Sequence, residues 1–473
     1  MGVRVGVEND EQKISELRRE IAKQQRWIEQ RDRRIENLER EIERLRQENE
    51  KLQQTAKRQA APFSRGEPKS KPKRRGRKPG KRYGKRAFRP RPKRVDRTVY
   101  VPAPLYCPDC QKPTVLHHTE RQWQIDIPPI QPVTTEFRID VGRCTECGRT
   151  VRARHAEQVS EATGAAAVQI GPSLIALAAT LNKECGMSYG RMARLFGMVF
   201  GVTVAPSTLN RALTRLARVV EPLSEKIGKR VRSGPMLSPD ETGWKIGGHK
   251  AWLHVAATRE DSYYMITRGR GTREATTLIG IDYEGTIVRD GLLSYRVFEK
   301  ANAQTCLAHL LRRIDGLLQS ESAPGTQKWL VAVKQVLQRS VRIRDRRDNA
   351  TIGPQRLITA IDEVEAEIDR LIEAAPVGEA VQRFARHLQR ERGALFTFLH
   401  RDAVPATNFL AEQALRPAVV NRKMSGGGNN TPTGAASQAV LMTVLHSARK
   451  RLVNGLTLLV DAMRNPASVA RLL

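Results

Sequence analysis

Isoleucine returns at every seventh position near the start of this chain, at Ile14, Ile21, Ile28, Ile35 and Ile42, and that spacing permits few folds. Leu17, Leu38, Leu45 and Leu52 fall at the fourth position of the same repeat, with Gln24 and Arg31 interrupting it. Such a repeat keeps one seam of a helix against a partner only if the two supercoil. β-Branched residues at position a with leucine at d favour two parallel strands, and Asn49 at a further a position fixes register at some cost in stability. In parallel pairing Arg34 faces Glu39 and Glu41 faces Arg46, whereas Lys13 against Arg18 opposes it. Residues 10–56 are therefore expected to form a coiled coil that makes the protein a homodimer. The competing reading is a long surface helix packed on its own domain.

The composition changes abruptly after the repeat. Between Arg65 and Arg94 sixteen Lys and Arg residues face one acid, Glu67, with Pro and Gly throughout. A segment like that cannot bury a core, so residues 57–98 read as a basic disordered linker. Within it Arg74-Arg75-Gly76-Arg77 resembles a minor-groove hook, in which a glycine lets flanking arginines lie flat in a narrow groove, although Lys78 separates Arg77 from Pro79. A solvated linker touching phosphates without preference fits the same residues. The whole chain, with 82 Lys and Arg against 50 Asp and Glu, carries a formal charge of +32, which points to a polyanion as partner. No apolar run approaches the roughly 20 residues a membrane helix needs, and the polar N-terminus is not a secretory signal. A cytoplasmic, nucleoid-associated protein with no membrane partner is expected.

Six cysteines in 473 residues without a secretory signal read as metal ligands or free thiols before disulfides. Cys107-Pro-Asp-Cys110 and Cys144-Thr-Glu-Cys147 form two CxxC knuckles with 33 residues between them. Each can wrap two thiolates around one tetrahedral zinc, and four thiolates leave no open position, so a structural zinc ribbon is expected over residues 99–156. Gln122–Ile127 and Thr134–Val141 alternate like a hairpin filling the gap. His117, His118 and His155 read as surface histidines, and Cys185 as a buried thiol.

Over 165–232 the spacing predicts helices at Pro172–Asn182, Tyr189–Phe200 and Ser207–Ile227, broken at Gly201 and Pro206. The last two have the length and break of a helix-turn-helix, with Ser207, Thr208, Asn210 and Arg211 opening the recognition helix. A small helical bundle that touches no DNA gives the same pattern.

The strand-like part of the chain opens at Met236-Leu237 and runs to Asp240, followed by apolar runs at 252–257 and 263–267, a helix at Thr272–Ile279, and a buried-strand pattern at 285–291 that delivers Asp290. Two strands each ending in an aspartate suit a hard cation such as magnesium or manganese. Glu241 rivals Asp240, but neighbouring strand residues point to opposite faces and one alone enters a site. A third carboxylate is available downstream, where Asn408, Glu412 and Arg416 recur at helical spacing.

The ordered set of Asp240-Glu-Thr with Trp244, Asp290 before Ser294-Tyr295, Cys306-Leu-Ala-His309-Leu-Leu-Arg312-Arg313, and Asn408, Glu412, Arg416-Pro417 and Arg422-Lys423 resembles the bacterial insertion-sequence transposases of the sixty-six type. The resemblance implies a ribonuclease-H-like domain at 233–310 and 402–473 whose Asp240, Asp290 and Glu412 hold two Mg2+ or Mn2+ ions, with a helical insertion at 311–401. It also implies a zinc-binding domain ahead of the catalytic one. Gln413 stands where that pattern commonly has Arg, and Ala406-Thr407 precede Asn408 where a second Asn is expected.

The sequence thus reads as a multidomain α+β protein: coiled coil, zinc ribbon, helix-turn-helix-like domain and α/β catalytic domain with a helical insertion. The expected activity is cleavage of the ends of an insertion sequence and their joining to target DNA, with higher-order assembly on that DNA. His309 is expected to touch the scissile phosphate or a carboxylate; Arg312, Arg313, Arg416, Arg422 and Lys423 are expected to contact DNA. The basic span Arg339–Arg347 is a candidate clamp for a second duplex, and Gly426-Gly427-Gly428-Asn429-Asn430 reads as a mobile loop beside the site. A dimeric zinc-containing DNA-binding regulator with an inactive catalytic domain is the competing reading, and a nuclease without strand joining is a third.

Overall fold

The structure, a computed structural model, describes residues 20–45 apart from 29, 32, 36, 40 and 43, and then 89–164, 167–425 and 427–473. Lys13, Ile14, Leu17, Arg18, Arg46, Asn49 and Leu52 of the heptad, and Arg74, Arg75 and Arg77, lie outside the described residues. The chain divides into two units, Met1–Gln124 and Ile125–Leu473.

In the first unit every described residue between 20 and 45 is helical. Ile21, Ile28, Ile35, Leu38, Ile42 and Leu45 form an uncovered stripe on that helix, each about half exposed. Further on, the first CxxC is a tight knuckle. The Cys107 N–H donates to the Lys112 carbonyl at 2.8 Å and the Gln111 N–H to the Cys107 carbonyl at 2.9 Å, with Gln111 in the left-handed region at φ 57°. Backbone N–H groups of Cys110 and Asp109 aimed at the Cys107 sulfur hold its thiol below the ordinary range.

The second unit begins with the other knuckle, built the same way. The Cys144 N–H donates to Arg149 O at 2.8 Å, the Gly148 N–H to Cys144 O at 3.0 Å, and Gly148 takes φ 70°. It closes an antiparallel hairpin of β1 (Val141–Arg143) and β2 (Thr150–Arg152). This corrects the expected hairpin: 122–127 and 134–140 form no strand, and pairing flanks the second CxxC instead. The knuckle's own 5→1 bond supplies the turn, so the strands grow outward from it.

Three helices follow: α1 (Pro172–Lys183), α2 (Tyr189–Phe200) and α3 (Pro206–Ser233). Ser188 caps α2 by accepting from the Arg191 N–H, and Gly201 ends it at φ 65° with the Val202 N–H returning to Phe196 O, a left-handed stop that only a residue without a Cβ adopts cheaply. Helix α3 runs six residues beyond the expected Ile227, because its buried row Leu209, Leu213, Leu216, Val220, Leu223, Ile227 and Val231 continues unbroken. Pro222 sits inside it without ending it.

A five-stranded mixed sheet comes next: β3 (Met236–Ile246), β4 (His249–Ala257), β5 (Ser262–Thr267), β6 (Thr286–Arg289) and β7 (Asn302–Thr305), in the order β5-β4-β3-β6-β7. Strands β3, β4 and β5 are antiparallel, whereas β6 and β7 add parallel to β3. The crossover from β5 to β6 carries α4 (Thr272–Ile279). One sheet face contributes Leu237, Ala256 and Ile287 to the core shared with α1 to α4. The other contributes Trp244, Ile246, Leu253 and Val255 to a core with α10 (Phe409–Ser425) and α11 (Pro432–Lys450). The β5 edge is covered: its Ser262 and Tyr264 N–H groups donate to the Ser447 and Thr443 hydroxyls of α11, which blunts an otherwise open strand edge.

Between β7 and α10 lies the helical insertion: α5 (Leu307–Ser320), α6 (Pro324–Asp348), α7 (Pro354–Glu373), α8 (Glu379–Glu391) and the short α9 (Thr397–His400), around their own core of Leu330, Leu337, Val364, Ile368, Phe384 and Leu388. Helix α12 (Gly455–Arg464) closes the chain against α1 and α3. Among the described residues no helix is long and apolar enough to cross a membrane.

Candidate active site

The sheet itself brings the two aspartates together. Met236 pairs with Thr286 and Leu237 with Ile287, an offset of fifty in each pair, and the same offset carries Asp240 to Asp290 (290 − 240 = 50). Those are the last paired positions, so Asp240 and Asp290 lie beyond the ladder, near enough for the Asp290 charge to act on the Asp240 carboxyl. Asp290 follows the end of β6, as expected. Asp240 does not end its strand. It sits in the middle of β3, whose second half continues to Ile246 because the two-residue turn Gly247-Gly248, both at positive φ, folds it back on β4. Past Leu237, β3 has lost its β6 partner, so Asp240 faces a notch at the point where the parallel pairing splits.

Asp240 shares its face with Trp244 and Ile246, the side covered by α10. Glu241 takes the opposite face, where Arg270 reaches it at 2.6 Å and the Tyr295 hydroxyl donates to it at 2.7 Å. Burial and the Glu241 carboxylate together hold the Tyr295 proton firmly in place. Glu241 is thereby consumed as a brace beneath the site.

Helix α10 is seated on this notch by Asn408, which is fully buried. Its side-chain N–H donates to Pro239 O at 2.8 Å, its backbone N–H donates to the Cys306 sulfur at 3.2 Å, and its carbonyl accepts from the Glu412 N–H at 3.1 Å. The Cys306 N–H in turn donates to Arg289 O at 2.8 Å, so one chain of bonds ties β6, β7 and α10 together around the carboxylates. Cys306 is a buried thiol whose proton burial retains.

The electrostatics register the gathering. The Asp240 carboxyl is raised from 3.8 to about 7, by burial first and by the charges of Glu241, Asp290 and Glu412, against the opposing Glu241 N–H contact at 2.8 Å. Glu412 is half-exposed and held by Arg312 of α5 at 2.8 Å. Among the described residues no group of three or more His, Cys, Asp or Glu side chains stands close enough to hold a metal ion. The donor set nevertheless suits a divalent cation: the Asp290 and Glu412 carboxylates both act on Asp240, and Ser238 Oγ and Asn408 Oδ1, close in sequence to Asp240 and Glu412, are buried without hydrogen-bond partners.

The remaining expected residues scatter by role. Arg416 and Lys423 are exposed along α10. Arg422 spends its guanidinium on Thr242 Oγ1 at 3.2 Å and on Gly243 O, bracing α10 against β3. Arg313 stacks over the Phe384 ring of α8 at 5.0 Å. Ser207, Asn210 and Arg211 are exposed on the first turn of α3, with Thr208 half-buried.

Two further expected segments make contacts within the chain. The glycine-rich segment is fastened where it is described: Asn429 accepts from Trp244 Nε1 at 2.8 Å, donates its N–H to Lys245 O at 3.0 Å and accepts from the Gly247 N–H at 2.8 Å. The span Arg339–Arg347 is largely neutralised, with Arg339 on Glu367, Arg344 on Asp345, and Arg347 on Asp348 and the Phe398 and Leu399 carbonyls.

One buried group escaped sequence reasoning. Glu391, at the end of α8, receives Arg289 at 3.0 Å, Arg296, and the Thr305 hydroxyl at 2.7 Å. It pins the residue before Asp290, and nothing in its sequence neighbourhood marks it out.

A family model described as "Transposase IS66 family" matches residues 167–437. The chain is also similar to the uncharacterized protein y4jD of Sinorhizobium fredii, at 21% identity over 306 residues; the match covers 59% of this chain and spans 59% of that protein's length.

Proposed function

Because the chain belongs to the IS66 transposase family, we propose that it cleaves the ends of an insertion sequence and joins them to target DNA at the notch between β3, β6 and α10. The observation that carries this reading is the raised Asp240 carboxyl, which feels Asp290 and Glu412 across the sheet split in a chain of charge +32. Asp240, Asp290 and Glu412 would hold two divalent ions, which when bound supply Lewis acidity for phosphoryl transfer. The ribonuclease-H-like reading is supported by the strand order, with three antiparallel strands extended by two parallel ones.

The chain's own groups carry the rest. Asn408 and Cys306 fix the first turn of α10, and Arg312 holds the Glu412 carboxylate at 2.8 Å, so a metal ion bound by Glu412 would compete with that pair. A backbone phosphate competing for Arg312 would release it. Exposed Arg416 and Lys423 supply cations for the scissile region, and their charge is stabilising as negative charge develops on the transferring phosphate. Ser207, Asn210 and Arg211 are candidates to read the element end, with Arg74, Arg75 and Arg77 adding salt-dependent affinity. A structural zinc on Cys107, Cys110, Cys144 and Cys147 is proposed from the two CxxC motifs of the sequence; each knuckle, taken by itself, turns backbone N–H groups toward its first sulfur.

The test is end cleavage and strand joining by purified protein in Mg2+ or Mn2+. Asp240→Ala, Asp290→Ala and Glu412→Ala should each abolish both while retaining end binding. Undiminished joining by any one of them removes that residue from the site. Cleavage without joined product would indicate a nuclease, and metal-independent DNA retardation alone would indicate a regulator.

A further inference from the structure

The insertion carries a basic strip on α8 whose His387 lies beside Gly291, the residue after Asp290. On α8, Arg383, His387 and Arg390 follow one another at four and three residues, so they share a flank of the helix, while Phe384 and Leu388 turn into the insertion core. His387 lies against the sheet: a Cβ placed on Gly291, the residue after Asp290, would come within 3.1 Å of its ring. Arg313 joins from α5, its guanidinium 5.0 Å above the Phe384 ring.

We propose that Arg383, His387 and Arg390 of α8, together with Arg313 of α5, form a phosphate-binding strip that holds DNA backbone beside Asp290. This deepens the transposase reading and rests on it.

The charge arrangement has no evident structural purpose. Arg390 has no carboxylate partner among the described residues, and Arg383 reaches only Glu379, one turn earlier, in an exposed pair of the kind that contributes little. Arg383 and Arg390 act on Arg313 as like charges and, with burial, lower its affinity for its proton; Arg313, Arg390 and Arg296 do the same to His387, which only Glu391 opposes. The Arg339–Arg347 span on α6 provides the contrast: it is equally rich in arginine, but acids on its own insertion neutralise it. Glu391 sets the strip's position, because its buried pairs with Arg289 and Arg296 lock the end of α8 to the strand that delivers Asp290.

The experiment compares the salt dependence of binding to a non-specific duplex by the full chain, by Arg383→Gln/Arg390→Gln, and by Arg339→Gln as a control in the same insertion. Each phosphate contact contributes about 0.9 to the slope of log K against log salt, so the double variant should lose about 1.8 from it. Arg339→Gln should leave it unchanged. Both substituted residues are exposed, and an unchanged melting temperature identifies the loss as one of contact. If wild type binds with a steep slope that the double variant keeps, the strip is overturned and the transposase reading stands. If wild type shows no salt-dependent binding at all, both fall.

Discussion

Asp240 is the side chain on which the fold and the chemistry compete most directly. Its carboxyl moves up from 3.8 to about 7 because burial and three neighbouring acids disfavour the charged form. The folded chain therefore binds a proton that the unfolded chain releases between about pH 4 and 7, and stability falls as pH rises through that window. A shift of that size corresponds to at most about 4 kcal/mol, less after the site relaxes and admits water. In chelator, urea midpoints should fall from pH 5 to pH 7.5, and Asp240→Asn should flatten that part of the curve. An equal slope in the variant would show that another group sets it. Strand patterns proposed Asp240 and Asp290 as partners, and the family resemblance chose Asp240 over Glu241; the fold puts Glu241 on the opposite face of β3. The sequence left Glu412 free, since nothing in the spacing of residues 408–416 indicates that Arg312, on another helix, holds it at 2.8 Å.

At the scale of elements, what was legible was what is decided locally. Tyr189–Phe200 and Thr272–Ile279 match their expected bounds because their stops, Gly201 and Gly280, lie within one turn of the last apolar residue. Gly247-Gly248 between alternating strands was an equally local hairpin signal, and reading it would have carried β3 past Asp240. The anchor of the insertion was not legible, because Glu391 and its partners Arg289, Arg296 and Thr305 come from distant segments that only the fold brings together. Their burial sets the expected cost. Glu391→Ala leaves Arg289 as an uncompensated buried cation and should destabilise the second unit by about 3–5 kcal/mol in urea. Conservative Glu391→Gln keeps the Thr305 contact and should lose less. If alanine costs under about 1 kcal/mol, the insertion is held by its apolar contacts instead.

At the scale of the whole molecule, the proposed transposition would require two element ends to be held at once, and the heptad suggests how. Ile21, Ile28, Ile35, Leu38, Ile42 and Leu45 line one stripe of the N-terminal helix and are each about half exposed, although helical stability in proteins comes mostly from packing an apolar face. A second copy would bury that stripe in the register the repeat dictates, with Arg34 facing Glu39 across the seam. Ile28→Asp/Ile35→Asp places like charges opposite each other at two successive a positions. In sedimentation equilibrium the full chain should pass from dimer to monomer. The three carboxylates all lie within 125–473 of one chain, so single-end nicking should persist while paired-end joining is lost. A variant that remains dimeric would move the association surface elsewhere in the chain, and a monomeric wild type would leave pairing to the DNA itself.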